Sequence, residues 1–421
     1  MISYIIYFFL GTAICFLVGN KSHRKRIFFL WGTVYTIYFV YAYVGCLYIS
    51  NPLLDYFISI DEMTFYDISL SLSNYSFTDI WKEAYSNDDY SELPFAAALF
   101  GSLHRMANML GINNTLLFIK GSICLVGSFI PVIIYKIINF VDENGSDSDT
   151  GFKSILYFVF LTPLFSFSCQ YLRDIHVCFI YTLMFYITIK EQQKGRYILL
   201  IVLFLISYGF RVETGLFSAL FIFLSIYLHS QNKSKFFRFV LYTLMLVVVL
   251  SSYSYVYTIM NDTIEGYLER SIDMAENGSL GVKLNALPVP INYLSKMLFG
   301  QLLPFPIWMP VANDSPYSSL RFVECFIPLY WIAVVLMLGL CFLKNYSSLD
   351  LRYKVIMLFC LLFLLLTSMS EFNPRRMMAV YPILFTVFYN VKTTYSYKMK
   401  YFVMNSFLLL LSLHVVYYII K

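Results

Sequence analysis

QYLRDIHVCFIYTLMFYITIKEQQKGRYILLIVLFLISYGFRVETG, residues 170–215, decides the fold. Two apolar runs, 175–190 and 197–210, flank a basic turn from Lys190 to Arg196. Their length and composition predict a hairpin of two membrane helices. Each run carries charge at its far end: Arg173 and Asp174 before the first, Arg211 and Glu213 after the second. A turn on one membrane face places both charged clusters on the other. Ionisable groups beside apolar helices are expensive unless solvated or paired, so they are functional candidates. The bland alternative is a structural ion pair or snorkelling head groups. Two arginines converging on one face favour a site.

Composition extends the membrane reading to the whole chain. Apolar residues make up 59% and charged residues 13%, with a mean hydropathy of +0.68. A soluble domain carries about 25% charged residues. Apolar runs of helical length recur, where a β-barrel would show short alternating segments. The 41 Phe and 37 Tyr suit lipid-facing and interfacial positions. Net charge is +5, yet no basic run resembles a nucleic-acid patch. The eight Cys fall in or beside apolar segments without CxxC spacing, so neither a disulfide framework nor a structural zinc is indicated. The stretch from Met1 to Gly19 lacks a basic leader and a small-residue cleavage site, and reads as the first helix.

At roughly 20 residues per crossing, about twelve spans are expected. They lie near 2–19, 27–49, 115–140, 154–169, 175–190, 197–210, 214–229, 239–259, 322–343, 355–369, 377–390 and 402–420. Alternate loops (21–26, 190–196, 231–238, 344–354, 391–400) are short and basic, which assigns them to the cytoplasm and both termini to the outside. The acidic loop 141–153 is the exception. The expected architecture is an all-α integral membrane protein, one polytopic domain over 1–421, with two long periplasmic segments at 50–114 and 261–321.

The first outer segment opens with Asp61, Glu62, Tyr66 and Asp67. Ile60, Met63, Ile68, Leu70 and Leu72 suggest an interfacial helix with its acidic side to water. Asp61 and Glu62 also fall where a membrane-facing pocket would need a base. Residues 93–112 can re-enter the membrane with His104 and Arg105, if they line a protein cavity. In the second segment, prolines 288, 290, 304, 306, 310 and 316 exclude one continuous helix. LLPFPIWMP reads as a shallow aromatic loop at the interface. The last outer turn, SEFNPRR (370–376), brings Glu371, Arg375 and Arg376. Arg375 is taken as a site arginine and Arg376 as an interface anchor.

Arg173, Arg211, Arg375 and Arg105 therefore gather with Asp61, Glu62, Asp174, Glu213 and Glu371 on one face. Arginine forks bind phosphate in bidentate fashion and stabilise a diphosphate as it leaves. A carboxylate can take the proton of an attacking hydroxyl. No P-loop, Ser-His-Asp set or zinc site is visible, so energy must enter with an activated, lipid-linked substrate. A transporter would show matching halves with broken helices, which this chain lacks.

These motifs resemble the Wzy-type O-antigen and exopolysaccharide polymerases, in particular the EpsG-like branch, over the first half of the chain to about Leu228. The family's outer motif G-x-D-x-x-x-Y is met by IDEMTFY: Asp61 matches, Tyr66 lies one residue out of register, and the glycine is replaced. A Glu opening an apolar stretch is met at Glu92 in ELPF. The family's L-R-Q-x-x-A is met by LRDIHV, where Arg173 carries over and Asp174 replaces Gln. FRVETGL stands where the family has F-H-x-S/T-A, with Arg211 in place of His. DExxxY and FRVE also resemble GT-C glycosyltransferases that use polyprenyl-phosphate sugars.

The resemblance implies a GT-C-like fold and a bacterial inner-membrane enzyme facing the periplasm. Such an enzyme moves a growing glycan from undecaprenyl pyrophosphate onto a lipid-linked repeat unit. It implies Arg173 and Arg211 on the pyrophosphate with Arg375 assisting, and Asp61 or Glu62 as base; Arg105, Asp174, Glu213 and Tyr66 are further substrate contacts. The implied partners are an undecaprenyl-pyrophosphate-linked oligosaccharide, membrane lipid and a chain-length regulator, with no nucleic acid. No cofactor or metal is required, although a GT-C transferase would place a divalent ion beside Asp61. The alternatives are such a transferase and a lipid-linked oligosaccharide flippase.

Overall fold

The apolar runs fold as helices in a computed structural model of the chain. It describes residues 2–19, 23–47, 59–141, 148–190, 195–230, 234–243, 287–312, 321–370, 373–395 and 398–420, with single positions at 247, 258 and 284. Every regular element among them is helical. Within a bilayer each backbone N–H and C=O must be satisfied internally, and helices do this segment by segment.

In the first half, α1 spans Ile2–Val18, α2 Arg24–Leu47, α3 Ile60–Leu72, α4 Phe77–Ser86, α5 Pro94–Met109 and α6 Thr115–Val141. Then come α7 Ser148–Phe160, α8 Pro163–Phe167, α9 Asp174–Ile189, α10 Arg196–Phe210 and α11 Val212–Ser230. The second half holds α12 Ile291–Gly300, α13 Ile327–Asn345, α14 Leu351–Ser370, α15 Pro374–Met377, α16 Tyr381–Thr394 and α17 Met399–Ile420.

Among the described residues, six helices are long and apolar enough to cross a membrane: 24–46, 115–139, 212–230, 321–345, 351–368 and 399–419. Four shorter apolar helices lie at 2–18, 151–160, 174–189 and 196–210. The run expected at 239–259 lies largely outside the described residues, as do 261–283 and 313–320 of the second long segment. The run expected at 154–169 is not one helix. Pro163 fixes its own φ and pushes Thr162 into the extended region (φ −130°, ψ 167°), so α7 stops at Phe160 and α8 starts afresh. The break leaves 168–173 as an irregular segment that delivers Arg173 to the head of α9.

Helices α6 and α9 form the centre. The membrane-length window of α6 is 94% buried, and α9 packs against α6, α10, α11 and α16. Aromatic stacking fills the layers: Trp31 lies 5.5 Å from Tyr35 and 5.9 Å from Phe129, and Trp331 lies 3.9 Å from Tyr381. Gly127 lets α6 meet the irregular segment, since a Cβ there would sit 2.4 Å from Ser168 Oγ. The rim is apolar too. Ile198, Ile201, Val202 and Leu205 are exposed on α10, and Phe407, Leu408, Leu411, Val415 and Ile419 on α17. Soluble proteins do not expose such continuous apolar faces, so hydrocarbon is their natural solvent.

The two ends of the bundle differ in chemistry. At one end Lys136 donates to Val18 O at 2.7 Å and senses the charge of Lys190, near the turn that ends in Arg196. At the other end lie the heads of α3, α9 and α11, the foot of α10, and α15. There Arg173, Arg211, Arg375, Asp61, Asp174 and Glu213 collect.

Helix α3 turns a different face inward from the one expected. Glu62, Phe65, Ser69 and Leu72 are buried against α5 and α6, while Met63 and Leu70 are exposed. The correction follows from the partners: the Glu62 carboxylate meets Lys120 and the Tyr171 N–H on the inner face. In the second outer segment, α12 fits between Pro290 and Pro304. The LLPFPIWMP turn then packs on α17, with Trp308 4.7 Å from His414 and 5.8 Å from Tyr418.

Candidate functional site: an arginine cluster around Asp174

Asp174 is the first residue of α9, where unpaired backbone N–H groups favour a negative charge. It is 5% exposed. Arg211 Nη1 lies 3.0 Å from its Oδ1, and Arg375 Nε lies 3.4 Å from its Oδ2. Arg375 Nη1 also donates to Asp61 Oδ2, joining the head of α3 to α15. Asn373 caps α15 by accepting from Arg375 N at 3.0 Å, which aims the arginine at the cluster.

Arg173 precedes Asp174 and also ties α9 to the end of α10. Its Nη1 donates to Phe210 O at 2.8 Å and to Glu92 O at 3.3 Å. Phe210 ends α10, so the guanidinium caps a carbonyl the helix leaves unpaired. The Phe65 ring lies 5.6 Å beneath it. Burial, and next the neighbouring Arg211, push the Arg173 guanidinium down to about 9. The same two causes push Arg376 down to about 10. Both stay charged at neutral pH, but each is held at a cost that an added anion would relieve.

Arg376 is not an interface anchor as expected. It is 7% exposed and feels Arg211, Glu213, Asp174 and Asp61. A side chain on α15 pointing into the bundle cannot reach head groups. Glu213, half-buried in the first turn of α11, balances Arg173 and Arg376. Arg173, Arg211, Arg375 and Arg376 thus face Asp61, Asp174 and Glu213, four positive charges against three negative. Among the described residues, the buried Nε donors of Arg173 and Arg211 have no hydrogen-bond partner. Buried donors of this kind normally find one.

The remaining candidates lie apart from these arginines. Glu62, expected as an alternative base, is 0% exposed, 3.1 Å from Lys120 Nζ, and accepts from Tyr171 N. It is sealed from solvent, whereas the Asp61 side chain is 51% exposed. Adjacent residues on a helix point about 100° apart, and that rotation separates the two carboxylates. Arg105 donates to Ser73 O at 3.3 Å and covers the Phe77 ring, tying α5 to the α3–α4 turn. Tyr66 lies 5.4 Å from the His104 ring, in an aromatic wall with Tyr171. His104 bonds Ser69 Oγ at 3.1 Å inside the α3–α5 contact. Glu371 lies outside the described residues.

No protein-family model, curated protein or solved structure matches the chain.

Gly215 sets the angle of the Arg211 turn. A Cβ there would fall 2.2 Å from Tyr208 Cα, so only hydrogen lets α11 fold back on α10. Gly215→Ala should destabilise the fold by about 1–3 kcal/mol, the usual cost of overpacking. A lowered thermal melting temperature of the purified protein would show it, and an unchanged one would mean the turn yields freely.

Proposed function

We propose that this protein is a membrane glycosyltransferase of the polysaccharide-polymerase kind. It would act on a glycan carried by a lipid diphosphate at the arginine end of the bundle, on the periplasmic face of a bacterial inner membrane. The reading includes about twelve crossings, a GT-C-like arrangement and basic turns in the cytoplasm. The observation that carries it is the set of four arginines around one buried carboxylate, with two orphan Nε donors.

A diphosphate supplies the acceptor oxygens those donors lack. Arg173 and Arg211 would grip it, with Arg375 and Arg376 adding charge. The acceptor hydroxyl attacks the anomeric carbon of the growing glycan. The bond from that carbon to the diphosphate oxygen breaks, and its electron pair leaves on undecaprenyl pyrophosphate. The hydroxyl proton goes to Asp61. In the resting state the Asp61 carboxylate is occupied by its ion pair with Arg375. When Arg375 turns to the incoming phosphate, Asp61 is released as a base.

The test is deletion of the gene and complementation with the wild type, followed by electrophoresis of the extracted surface polysaccharide. A ladder that collapses to a single repeat and returns on complementation supports polymerisation. A full-length ladder in the deletion would end this reading. A uniform shift in mobility would instead point to a transferase adding a branch, and loss of surface glycan with undiminished repeat linkage in the membrane to a flippase.

A further inference from the structure

Glu62 and Lys120 form a second ionic site, about which the proposed chemistry says nothing. Glu62 is 0% exposed and Lys120 is 1% exposed, with their charged atoms 3.1 Å apart. Lys120 lies in the second turn of the most deeply buried helix, α6, beside the Cys46 thiol. Ser59 caps α3, accepting from Glu62 N at 3.4 Å. The S-x-x-E spacing is that of a capping box, whose Glu normally folds back onto its own helix. Here the carboxylate instead reaches Lys120, and Oε1 accepts the backbone N–H of Tyr171.

Tyr171 sits in the irregular segment 168–173, where no helical ladder satisfies its N–H. Two residues on is Arg173, and three on is Asp174. A buried ion pair is poor evidence of stability, because well-packed apolar side chains commonly do as well. A carboxylate at this depth therefore needs another role, and the Tyr171 N–H supplies it.

We infer that the Glu62–Lys120 pair is a positioning device that pins the Tyr171 backbone and so sets the register of Arg173 and Asp174. The inference rests on the reading that Arg173 and Asp174 belong to the transfer site. Glu62 supplies the oxygen that holds the segment. Lys120 neutralises the carboxylate. Gly127 against Ser168 and the Cys169 thiol on Tyr38 O fix the upstream end of the same segment. Arg173, whose buried Nε has no hydrogen-bond partner among the described residues, follows two positions beyond the pinned amide.

The roles separate in two double variants, compared with wild type in lipid nanodiscs. Glu62→Gln with Lys120→Met removes both charges and keeps the oxygen. Glu62→Leu with Lys120→Met removes the oxygen as well. Hydrogen exchange followed by mass spectrometry on fragments covering 168–174 reads the pin directly. Glycan length in the complemented deletion strain reads its effect. We expect the Gln/Met protein to protect the Tyr171 amide like wild type and to restore long chains. We expect the Leu/Met protein to exchange that amide about tenfold faster or more, as locally opened backbone does, and to leave short chains. Should the Leu/Met protein fail to fold, Glu62→Met with Lys120→Gln, of the same composition as the first variant, takes its place. Equal protection of the amide without the oxygen would overturn the inference, as would long chains made by a protein whose amide is exposed. If the deletion strain itself keeps long chains, the transfer reading fails, while the exchange rates still report the pin.

Discussion

On the proposed function, Arg173→Ala should leave the host with core plus one repeat, as the deletion should, although the protein is still inserted and folded. Removing one preorganised donor from the charge-stabilising site of a transferase costs on the order of 10²–10³ in rate. Arg173 should sit at the upper end, because its guanidinium is buried and carries an orphan Nε. Loss of the buried Phe210 cap is a separate effect on stability, about 1–3 kcal/mol for an acceptor left without its donor. Arg173→Lys separates the two. A lysine can still cap Phe210 O, but it cannot offer a planar fork to a phosphate. Normal ladders in the Lys variant would reduce Arg173 to a helix cap.

The largest loss of stability should come from Lys120→Met alone. That change leaves a carboxylate with no exposure facing a thioether, and breaking one side of a buried pair costs about 3–5 kcal/mol. The variant should melt well below wild type and yield little monodisperse protein. Adding Glu62→Gln to it should restore most of the melting temperature, since the uncompensated charge is then gone. A single variant that melts like wild type would mean that the buried carboxyl is neutral and that Lys120 serves some other group.

The hairpin was readable from sequence because its helices end where charge begins. The runs expected at 175–190 and 197–210 are observed at 174–189 and 196–210, and Arg173, Asp174, Arg211 and Glu213 meet as the turn geometry requires. The apolar rim was readable from composition alone. What stayed hidden depends on partners distant in the chain. Asp61 and Glu62 are neighbours in sequence with the same chemistry, and only their contacts, Arg375 for one and Lys120 for the other, tell them apart. A signal for Lys120 existed: it is the one charge in TLLFIKGSICLVGSF, and a lone cation in an apolar run needs a partner. Arg376 was misplaced because adjacent arginines on a turn look equivalent until the turn becomes the short helix α15. The break at Pro163 was legible, but hydropathy averaged over 154–169 hid it.

Asp174 already fills the arginine cluster with an anion of the protein's own. The cluster is therefore not an open trap for whatever negative ion drifts past. A tethered carboxylate competes at the high effective concentration of an intramolecular ligand. Free phosphate or chloride, arriving singly, must displace a rival that never diffuses away. A diphosphate held at the surface by its own lipid tail competes on equal terms, because it too is confined and brings several oxygens at once. On the proposed function, the carboxylate would return as the spent carrier departs and so speed its release. Selectivity for tethered anions, and turnover after transfer, would then share one residue.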